Sequence, residues 1–455
     1  MRVLALIDGE HHPAVTRDAL DRVADKHELS EVLFIGGEEK LGEEVWIDTV
    51  SSWGRRVTRP AADPALALRE LAAHHDLDRV VDLSGDPVLD EAARFRLACL
   101  ALSLGLEYHA PGLRLSAPPR QRLSLDAPVI EVIGTAKRTG KTALAGHYAR
   151  LLRDQGIEPV VVAMGRGGPA EPQLVRAEER PDLGTLRAIA RAGGHAASDY
   201  LEDAVLAGIT CVGCRRCGEG PAGETFASNV LDGAMLAVSL DPEVLLIEGS
   251  GAALPPIAAD HRVCVTNASG APDALSYLGP LRLMGSDLIV IVGADRLPAH
   301  ELREAKRALS EWSGTATLIG CGLEPEPVEP VPAGGRVAFF CTAAPEHEAE
   351  LKTALERQGV DVRLSSTNLA RRAELRRDLD RAKRERCDVY LTELKAAAIE
   401  LVAEDAERND AALVLVRNRP VSAAGEPDLD AALTGLVEEA RSARPAGAIT
   451  RARQA

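Results

Sequence analysis

The feature that most constrains this chain is a phosphate-binding loop between a strand and a helix. Residues 129–133 form an apolar run of strand length, rich in β-branched side chains, and residues 143–152 have helical composition. Between them stands the segment Gly134-Thr135-Ala136-Lys137-Arg138-Thr139-Gly140-Lys141-Thr142. Gly140 lets the backbone approach an anion, and the N–H groups at the start of the helix point toward it. The segment therefore predicts a P-loop NTPase-type parallel sheet.

The side chains of this loop predict a site for ATP and Mg²⁺. Lys141 supplies a cation for the β- and γ-phosphates, and Thr142 supplies a hydroxyl ligand for Mg²⁺. Thr135 stands where the usual pattern has its first glycine, and this spacing is similar to that of dethiobiotin synthetase. The predicted nucleotide-binding residues of the loop are Gly134, Thr135, Thr139, Gly140, Lys141 and Thr142.

A second signal lies about a hundred residues further on, where an apolar run ends in an acid. Residues 244–247 lead directly to Glu248, which is followed by Gly249-Ser250-Gly251. An acid at the end of a strand downstream of a phosphate loop is typical of a Walker B strand. The segment is also similar to the Val-Glu-Gly-Ala-Gly-Gly segment of dethiobiotin synthetase. We therefore predict that Glu248 and Thr142 bind Mg²⁺.

Composition limits the class of partner. The net charge of −16 argues against a general nucleic-acid binder, and no apolar run is long enough to cross a bilayer. Eight cysteines in a chain of this length do not suggest a disulfide framework. We expect a cytoplasmic protein that acts on a small molecule, without a nucleic-acid or membrane partner.

The alternation of strand and helix patterns predicts three parts. Residues 1–125 read as a smaller Rossmann-like α/β domain, with strands at 2–7, 31–35 and 79–83 and helices at 14–27, 64–74 and 90–104. Pro118 and Pro119 mark a joint, after which residues 126–330 form the nucleotide-binding core. Residues 331–455 form a C-terminal α/β part that completes the P-loop sheet, and residues 324–327 before it read as a surface linker.

Two loops at predicted strand ends carry candidate substrate ligands. Asp8, Glu10 and His11 follow the first strand, where open α/β sheets bind ligands; they bind substrate or a metal, or they form a capped, solvated turn. Arg166 follows the strand at 158–164, and its guanidinium group matches the oxygens of an acceptor phosphate. The alternative for Arg166 is an exposed side chain on a flexible glycine loop.

The segment 210–220 has the most unusual composition in the chain. Cys211, Cys214 and Cys217 recur at intervals of three, so they converge on a metal if a fourth ligand comes from elsewhere. The alternative is a glycine-rich anion loop in which Arg215 and Arg216 hold a substrate phosphate and the cysteines pack. The arginine pair is the more persuasive feature.

The last predicted strand, at 412–416, is followed by Asn418. An asparagine at such a strand end reads the edge of the base in related nucleotide enzymes. We predict that Asn418 contacts adenine; the alternative is an ordinary turn asparagine.

Taken together, the motifs resemble those of the cyclic 2,3-diphosphoglycerate synthetase family. The resemblance rests on residues 5–11, 132–142, 213–217 and 247–251. It implies that ATP drives closure of 2,3-diphosphoglycerate to a cyclic pyrophosphate, with release of ADP and phosphate. It also implies catalytic roles for Lys137, Arg138, Lys141 and Glu248, and a clamp on the acceptor phosphates by Arg138, Arg166, Arg215 and Arg216. We further expect a homodimer.

Two other functions fit parts of the pattern. One is an ATP-dependent ring-closing ligase that acts on a carboxylate, which would need fewer cations around the acceptor. The other is a nucleotide-dependent switch or metallochaperone in which the three cysteines carry a metal.

Overall fold

The structure is a computed structural model that describes residues 1–61, 63–193, 195–394 and 398–444. It contains two sheets, of five and thirteen strands, with helices packed on them. The predicted α/β class, with a smaller α/β domain before the P-loop sheet, is confirmed. Within the described residues, no helix combines the length and the apolar character needed to cross a bilayer.

The first sheet lies in the N-terminal part of the chain. Its strands are β1 (Arg2–Ile7), β2 (Glu28–Phe34), β3 (Arg79–Asp82), β4 (Glu107–Ala110) and β5 (Leu113–Leu115). The helices of this part are α1 (Pro13–Ala24), α2 (Glu44–Ile47), α3 (Thr49–Trp53), α4 (Pro64–His74) and α5 (Glu91–Ser103). The strand order is β2-β1-β3-β4-β5, and only β5 is antiparallel to its neighbour. Asp63 and Asp90 cap the N-termini of α4 and α5, so the predicted helix starts follow from capping chemistry.

The second sheet is built from the rest of the chain. Its strands are β6 (Val129–Gly134), β7 (Pro159–Gly165), β8 (Gln173–Val175), β9 (Thr210–Cys217), β10 (Ala227–Ser228), β11 (Val244–Glu248), β12 (His261–Asn267), β13 (Leu288–Val292), β14 (Thr317–Pro327), β15 (Arg336–Phe340), β16 (Asp361–Ser366), β17 (Val389–Glu393) and β18 (Ala412–Ser422). The helices are α6 (Lys141–Asp154), α7 (Leu183–Arg191), α8 (Asp199–Ala207), α9 (Val230–Val238), α10 (Ala271–Ala274), α11 (Ala299–Ser313), α12 (Glu348–Arg357), α13 (Arg372–Arg384), α14 (Ile399–Arg408) and α15 (Leu429–Ser442).

The strand order of the second sheet brings four motif-bearing strands side by side. The order is β10-β9-β7-β11-β6-β12-β13-β14-β18-β17-β15-β16, with β8 paired to β9. The strands from β9 to β14 are mutually parallel, so β9, β7, β11 and β6 present their carboxyl ends at one edge. Ligands bind at this edge in open α/β sheets.

The C-terminal strands continue the same sheet across an antiparallel seam. β14 pairs with β18 from Cys321 opposite Ser422 to Pro327 opposite Val416, and β17, β15 and β16 follow in parallel. The prediction of a surface linker at residues 324–327 is therefore wrong, because these residues lie in β14. The charge of Glu326 is balanced across the seam by Arg417, whose Nε donates to Glu326 Oε2 at 2.6 Å.

The N-terminal domain packs on the second sheet through α5. The side chain of Phe95 meets Tyr277 edge-on at 5.4 Å between ring centroids, and Arg96 lies over the ring of Trp312 at 5.3 Å. Leu278, Leu281 and other apolar side chains of the second part join the apolar core of the first. The 277–284 segment thus connects the two parts.

Candidate active site

The phosphate loop has the conformation that its glycines predict. Gly140 has φ of +94° and precedes α6, whose first residue is Lys141. A Cβ at Gly134 would lie 2.7 Å from Thr139 Oγ1 and 2.9 Å from Lys141 Cδ. The buried Lys141 side chain therefore folds back over the loop only because residue 134 is glycine.

Neighbouring strands fix the start of the loop and leave its tip open. Thr135 N–H donates to the carbonyl of Val265 at 3.0 Å, and the hydroxyl groups of Thr135 and Thr266 lie 3.0 Å apart. Lys137 and Arg138 at the tip are exposed, and Arg138 has φ of +64°, which is uncommon for a residue with a side chain. Both cations are thus available to a ligand from solution.

Glu248, the last residue of β11, lies beside the start of α6. Its carboxylate is buried, and neither oxygen has a hydrogen-bond partner of normal geometry within the part of the chain that the structure describes. Burial and then repulsion from Asp199 raise the pKa of Glu248 to about 8, while the nearby Thr142 hydroxyl and Lys141 ammonium group oppose the shift. Burying a carboxylate without partners is costly, so this group is suited to a cation.

A second buried acid, Asp203 of α8, adjoins Glu248. Burial and then the charge of Glu248 raise the pKa of Asp203, and its Oδ2 has no hydrogen-bond partner among the described residues. Mg²⁺ takes oxygen ligands from one or two carboxylates and from phosphates. The Thr142 hydroxyl and the buried carboxylate of Glu248 therefore fit this ion.

Lys141 belongs to the same electrostatic cluster. Burial lowers the pKa of its ammonium group, and the negative charges of Glu248 and Asp199 work against that effect. The charges of Arg166 and Glu219 also act on it. Lys141 thus lies between the carboxylates of Glu248 and Asp199 on one side and a cluster of arginines from neighbouring strand ends on the other.

That arginine cluster consists of Arg166, after β7, and Arg216, on β9. Arg166 Nη2 lies 3.1 Å from Glu219 Oε2, and Arg216 Nη2 donates to the same oxygen and to the carbonyl of Ser250. A Cβ at Gly251 would lie 2.4 Å from Arg166 Nη2 and 3.0 Å from Arg216 Nη2. The glycine after the Walker B strand therefore makes room for two guanidinium groups.

The cysteine segment is a strand, and this separates its side chains. Residues an odd number apart on a strand face opposite sides, and Cys211 and Cys214 of β9 accordingly enter apolar cores on opposite faces of the sheet. Cys217 is exposed, and burial raises the pKa of the Cys211 and Cys214 thiols. Of the two alternatives for this segment, the one in which the three thiols converge on a metal is wrong for this reason, and no group of three potential metal ligands occurs among the described residues.

The same alternation separates the two arginines. Arg216 is buried within the cluster, whereas Arg215 is exposed on the other side of β9 and its N–H group donates to Asn229 Oδ1 at 2.7 Å. The glycine-rich loop expected at 210–220 is thus a strand up to Cys217. The structure brings Arg216, and not the side chain of Arg215, into contact with the site.

Asn418 lines a cleft that also reaches the phosphate loop. The cleft runs from Thr142 along α6 to Glu393 and Asn418, and Asn418 Nδ2 donates to Glu393 Oε1 at 3.1 Å. Asn418 lies inside β18 and not beyond its end, which corrects the predicted strand boundary. Its predicted contact with adenine stays a prediction.

The N-terminal loop is held by its own domain. Asp8 is buried and accepts hydrogen bonds from His11 Nδ1 and from the N–H of Gly85, both at 2.7 Å, while Glu10 pairs with Lys40. None of the hydrogen bonds and ion pairs that the structure describes joins these residues to the phosphate loop. Asp8, Glu10 and His11 thus form a separate cluster, and their role in substrate binding stays a prediction.

Comparison with known proteins identifies the family. Three domain models match the chain: the N-terminal domain of cyclic 2,3-diphosphoglycerate synthetase at residues 2–116, its P-loop domain at 129–319 and its C-terminal domain at 327–419. The cyclic 2,3-diphosphoglycerate synthetase of Rubrobacter xylanophilus is 41% identical over 453 residues, which are 98% of this chain and 99% of that protein. The chain belongs to the cyclic 2,3-diphosphoglycerate synthetase family.

More distant members of the synthetase family match over similar lengths. The protein of the same name from Methanosphaera stadtmanae is 35% identical over 455 residues, covering 97% of each chain. Among solved structures, LpxK from Aquifex aeolicus in complex with ATP is 15% identical, covers 71% of this chain and 90% of its own, and has a TM-score of 0.41. The family resemblance and the P-loop NTPase-type fold expected from the motifs are confirmed by the family matches.

Two residues of the synthetase site were missed by the sequence analysis. Asp203 lies among apolar residues of α8, and an acid on the apolar face of a helix is a readable signal of a buried charge. Glu219 follows Arg216 by three residues, so the pair was visible as a local charge match. The positions of Asp203 beside Glu248 and of Glu219 near Lys141 depend on the strand order, which local patterns in the sequence do not specify.

Proposed function

We propose that this chain is an ATP-dependent synthetase that closes 2,3-diphosphoglycerate to cyclic 2,3-diphosphoglycerate, with release of ADP and phosphate. The observation that carries the proposal is one cluster at the carboxyl ends of four strands. It joins a phosphate loop, a buried carboxylate without a hydrogen-bond partner of normal geometry among the described residues, and two arginines. Relatives that cover nearly the whole chain bear the name of this activity.

The nucleotide half of the site uses the residues of the phosphate loop. Thr135, Thr139 and the N–H groups at the start of α6 would cradle the phosphates of ATP, and Lys141 would meet the β- and γ-phosphates. Mg²⁺ held by Thr142 and Glu248 would neutralise phosphate charge when it is bound. The carboxylate oxygens of Glu248 support this assignment, because neither has a hydrogen-bond partner of normal geometry in the described part of the chain. Asn418, on the cleft that begins at Thr142, would contact adenine.

The acceptor half uses cations that face the loop. Arg166 and Arg216 would hold one phosphate of 2,3-diphosphoglycerate, because guanidinium groups donate paired hydrogen bonds to phosphate oxygens. Lys137 and Arg138, exposed at the tip of the loop, would neutralise the moving phosphoryl group and the second phosphate. Bringing two dianions together is opposed by Coulomb repulsion, which these cations would offset.

The reaction then needs two displacements at phosphorus. An oxygen of one acceptor phosphate attacks the γ-phosphorus, the bond from that phosphorus to the β–γ bridging oxygen breaks, and ADP leaves. An oxygen of the other acceptor phosphate attacks the inner phosphorus of the new pyrophosphate, and inorganic phosphate leaves as the ring closes. Such transfers depend on alignment and charge neutralisation more than on covalent participation of the protein.

The alternatives receive less support from the site. A metallochaperone needs converging thiols, and Cys211 and Cys214 face opposite sides of the sheet. A ligase that activates a carboxylate would need one or two cations at the acceptor. Two guanidinium groups already meet at Glu219 and two further cations stand at the loop tip, so a polyphosphorylated acceptor fits better.

The proposal includes a homodimer, a cytoplasmic location and a three-part chain. Phe226, which is 94% exposed and directly precedes the edge strand β10, supports self-association. The cysteines are free thiols and all but Cys217 are buried, in line with a reducing compartment. The change of sheet supports a boundary near residue 125, and the boundary near 330 falls where the C-terminal family model begins. Sedimentation analysis of the full chain tests the dimer; a monomer at micromolar concentration would contradict it.

Phosphorus NMR tests the reaction directly. The full chain is incubated with ATP, Mg²⁺ and 2,3-diphosphoglycerate, and we expect a cyclic pyrophosphate to form in equal amount with ADP and phosphate. Lys141→Ala serves as the matched control. Release of ADP without a cyclic product, or equal turnover with a carboxylate that lacks phosphates, would contradict the proposal.

A further inference from the structure

We propose that Glu219 is a positioning residue whose carboxylate occupies, in the free enzyme, the place of an acceptor phosphate. It would hold Arg166 and Arg216 in their binding geometry until the substrate displaces it. This inference rests on the proposed function, because it takes these two arginines to bind the acceptor. It adds an internal stand-in for the substrate that the motifs did not indicate.

Three donors converge on the Glu219 carboxylate. Its Oε2 accepts from Arg166 Nη2 at 3.1 Å and from Arg216 Nη2, and its Oε1 accepts from the N–H of Ala252 at 3.3 Å. Although burial acts in the opposite direction, the hydrogen bond and charge of Arg216 lower the pKa of Glu219. Two guanidinium groups and a backbone N–H are also a donor set that suits phosphate oxygens.

The carboxylate lies where an acceptor phosphate would meet the γ-phosphoryl group. A Cβ at Gly251 would lie 2.9 Å from Glu219 Oε2, so the carboxylate packs against the turn that follows Glu248. The charges of Glu219 and Arg166 both act on Lys141. The stand-in is therefore adjacent to the phosphate loop and not on a remote surface.

The Glu219 side chain is partly exposed, whereas the base of its loop is anchored. The side chain is 28% exposed, and it follows Gly218, which has φ of +77°. Arg282 anchors the rest of the loop, since its guanidinium group donates to the carbonyls of Pro221 at 2.8 Å and Ala252 at 2.9 Å. Only the tip has to move when the acceptor enters.

The exchange is favoured by charge. A phosphate monoester carries about 1.5 to 2 negative charges at neutral pH, whereas a carboxylate carries one. The pair of Arg166 with Glu219 is partly exposed, and such ion pairs are weak and screened by salt. Arg216 is buried, and its cation attracts a dianion more strongly than a carboxylate, so a dianion can replace Glu219 on the same donors. The arginines then meet the substrate in the orientation that Glu219 maintained.

Glu219→Gln tests the stand-in, with Glu224→Gln as the matched control because Glu224 is an exposed acid of the same turn. Binding of 2,3-diphosphoglycerate is measured by calorimetry without ATP. We expect Glu219→Gln to bind about threefold to tenfold more tightly than wild type, as expected for the loss of one or two competing ion pairs. Glu224→Gln should bind like wild type. In turnover assays the KM for the acceptor should fall and the KM for ATP should not change.

Unchanged or weaker binding by Glu219→Gln would overturn the inference, because it would make Glu219 a structural ligand of the arginines or a bystander. Circular dichroism checks the fold, and Glu219→Ala, with the same expected gain, replaces the variant if the amide impairs folding. An equal gain in affinity for 2,3-diphosphoglycerate in Glu224→Gln would show that the effect comes from net charge alone, and this would also overturn the inference. The binding comparison requires no turnover, so a wild-type protein that makes no cyclic product would refute the proposed function separately.

Discussion

Replacing Glu248 by glutamine is expected to stabilise the ligand-free protein and to abolish turnover. Burial raises the pKa of Glu248 from 4.5 to about 8, so the folded chain favours the neutral carboxyl group. The stability that the protonated Glu248 contributes is fully present below pH 4.5 and is lost as the pH rises to 8. In that range Glu248 ionises in the unfolded chain but stays protonated in the folded chain. Glutamine has a similar shape and no proton to lose, so the variant should not suffer this loss.

The magnitude follows from the two pKa values. The difference between 4.5 and about 8 corresponds to about 5 kcal/mol of lost stability above pH 8, and to about 3 kcal/mol at pH 7. The charges of Lys141 and Asp203 interact with that of Glu248, so the three groups share part of this energy. We therefore expect a measured gain of about 1–3 kcal/mol for Glu248→Gln at pH 8, and almost none at pH 4.5.

Urea unfolding of wild type and Glu248→Gln at pH 5, 7 and 8.5, without nucleotide, measures this difference. Glu224→Gln is the control and should follow wild type at each pH. ATP with Mg²⁺ should then stabilise wild type much more than Glu248→Gln, since the amide lacks the charge that holds the ion. A stability difference that is independent of pH, or a less stable Glu248→Gln, would refute the reasoning.

Four further substitutions test the two halves of the site. Lys141→Ala should lower kcat by about a thousandfold or more, because the γ-phosphoryl group loses its buried cation; a loss below tenfold in a steady-state assay would contradict this role. Arg216→Ala should raise the KM for 2,3-diphosphoglycerate by about tenfold or more and leave the KM for ATP unchanged. Arg215→Ala should raise the KM for the acceptor less. Equal effects of the two variants in acceptor titrations would argue against the buried arginine as the ligand. Gly251→Ala places a methyl group 2.4 Å from Arg166 Nη2 and should weaken acceptor binding in calorimetry while ATP binding persists; wild-type acceptor affinity would show that the cluster tolerates displacement.

The local patterns predicted most of the fold. The strand at Arg2–Ile7 and the helix at Pro64–His74 have the bounds that periodicity and capping gave, and the phosphate loop lies between its strand and helix as expected. These elements are specified by neighbouring residues, so the sequence contains the information that fixes them. The ordered motifs also sufficed to indicate the family.

The wrong predictions concern segments whose secondary structure depends on pairing with strands that are distant in the sequence. Residues 324–327 contain two prolines and two acids, which locally indicate a loop, but β18 supplies arginines that pair with the acids across the seam. Thr210–Cys217 has a composition typical of a loop, yet pairing with β7 and β8 makes it a strand. Neighbouring residues on a strand face opposite sides, so Arg215 and Arg216 point in different directions although the prediction treated them as a pair.

The antiparallel seam between β14 and β18 has a consequence for how the protein can be divided. A fragment that stopped near residue 330 would leave residues 322–327 of β14 without a neighbouring strand, and an open edge of that length invites pairing between copies. The wall of the cleft that carries Asn418 would be lost in the same cut. Although separate family models match the core and the C-terminal part, the two parts share one hydrogen-bonded sheet and should be expressed and engineered as a single unit.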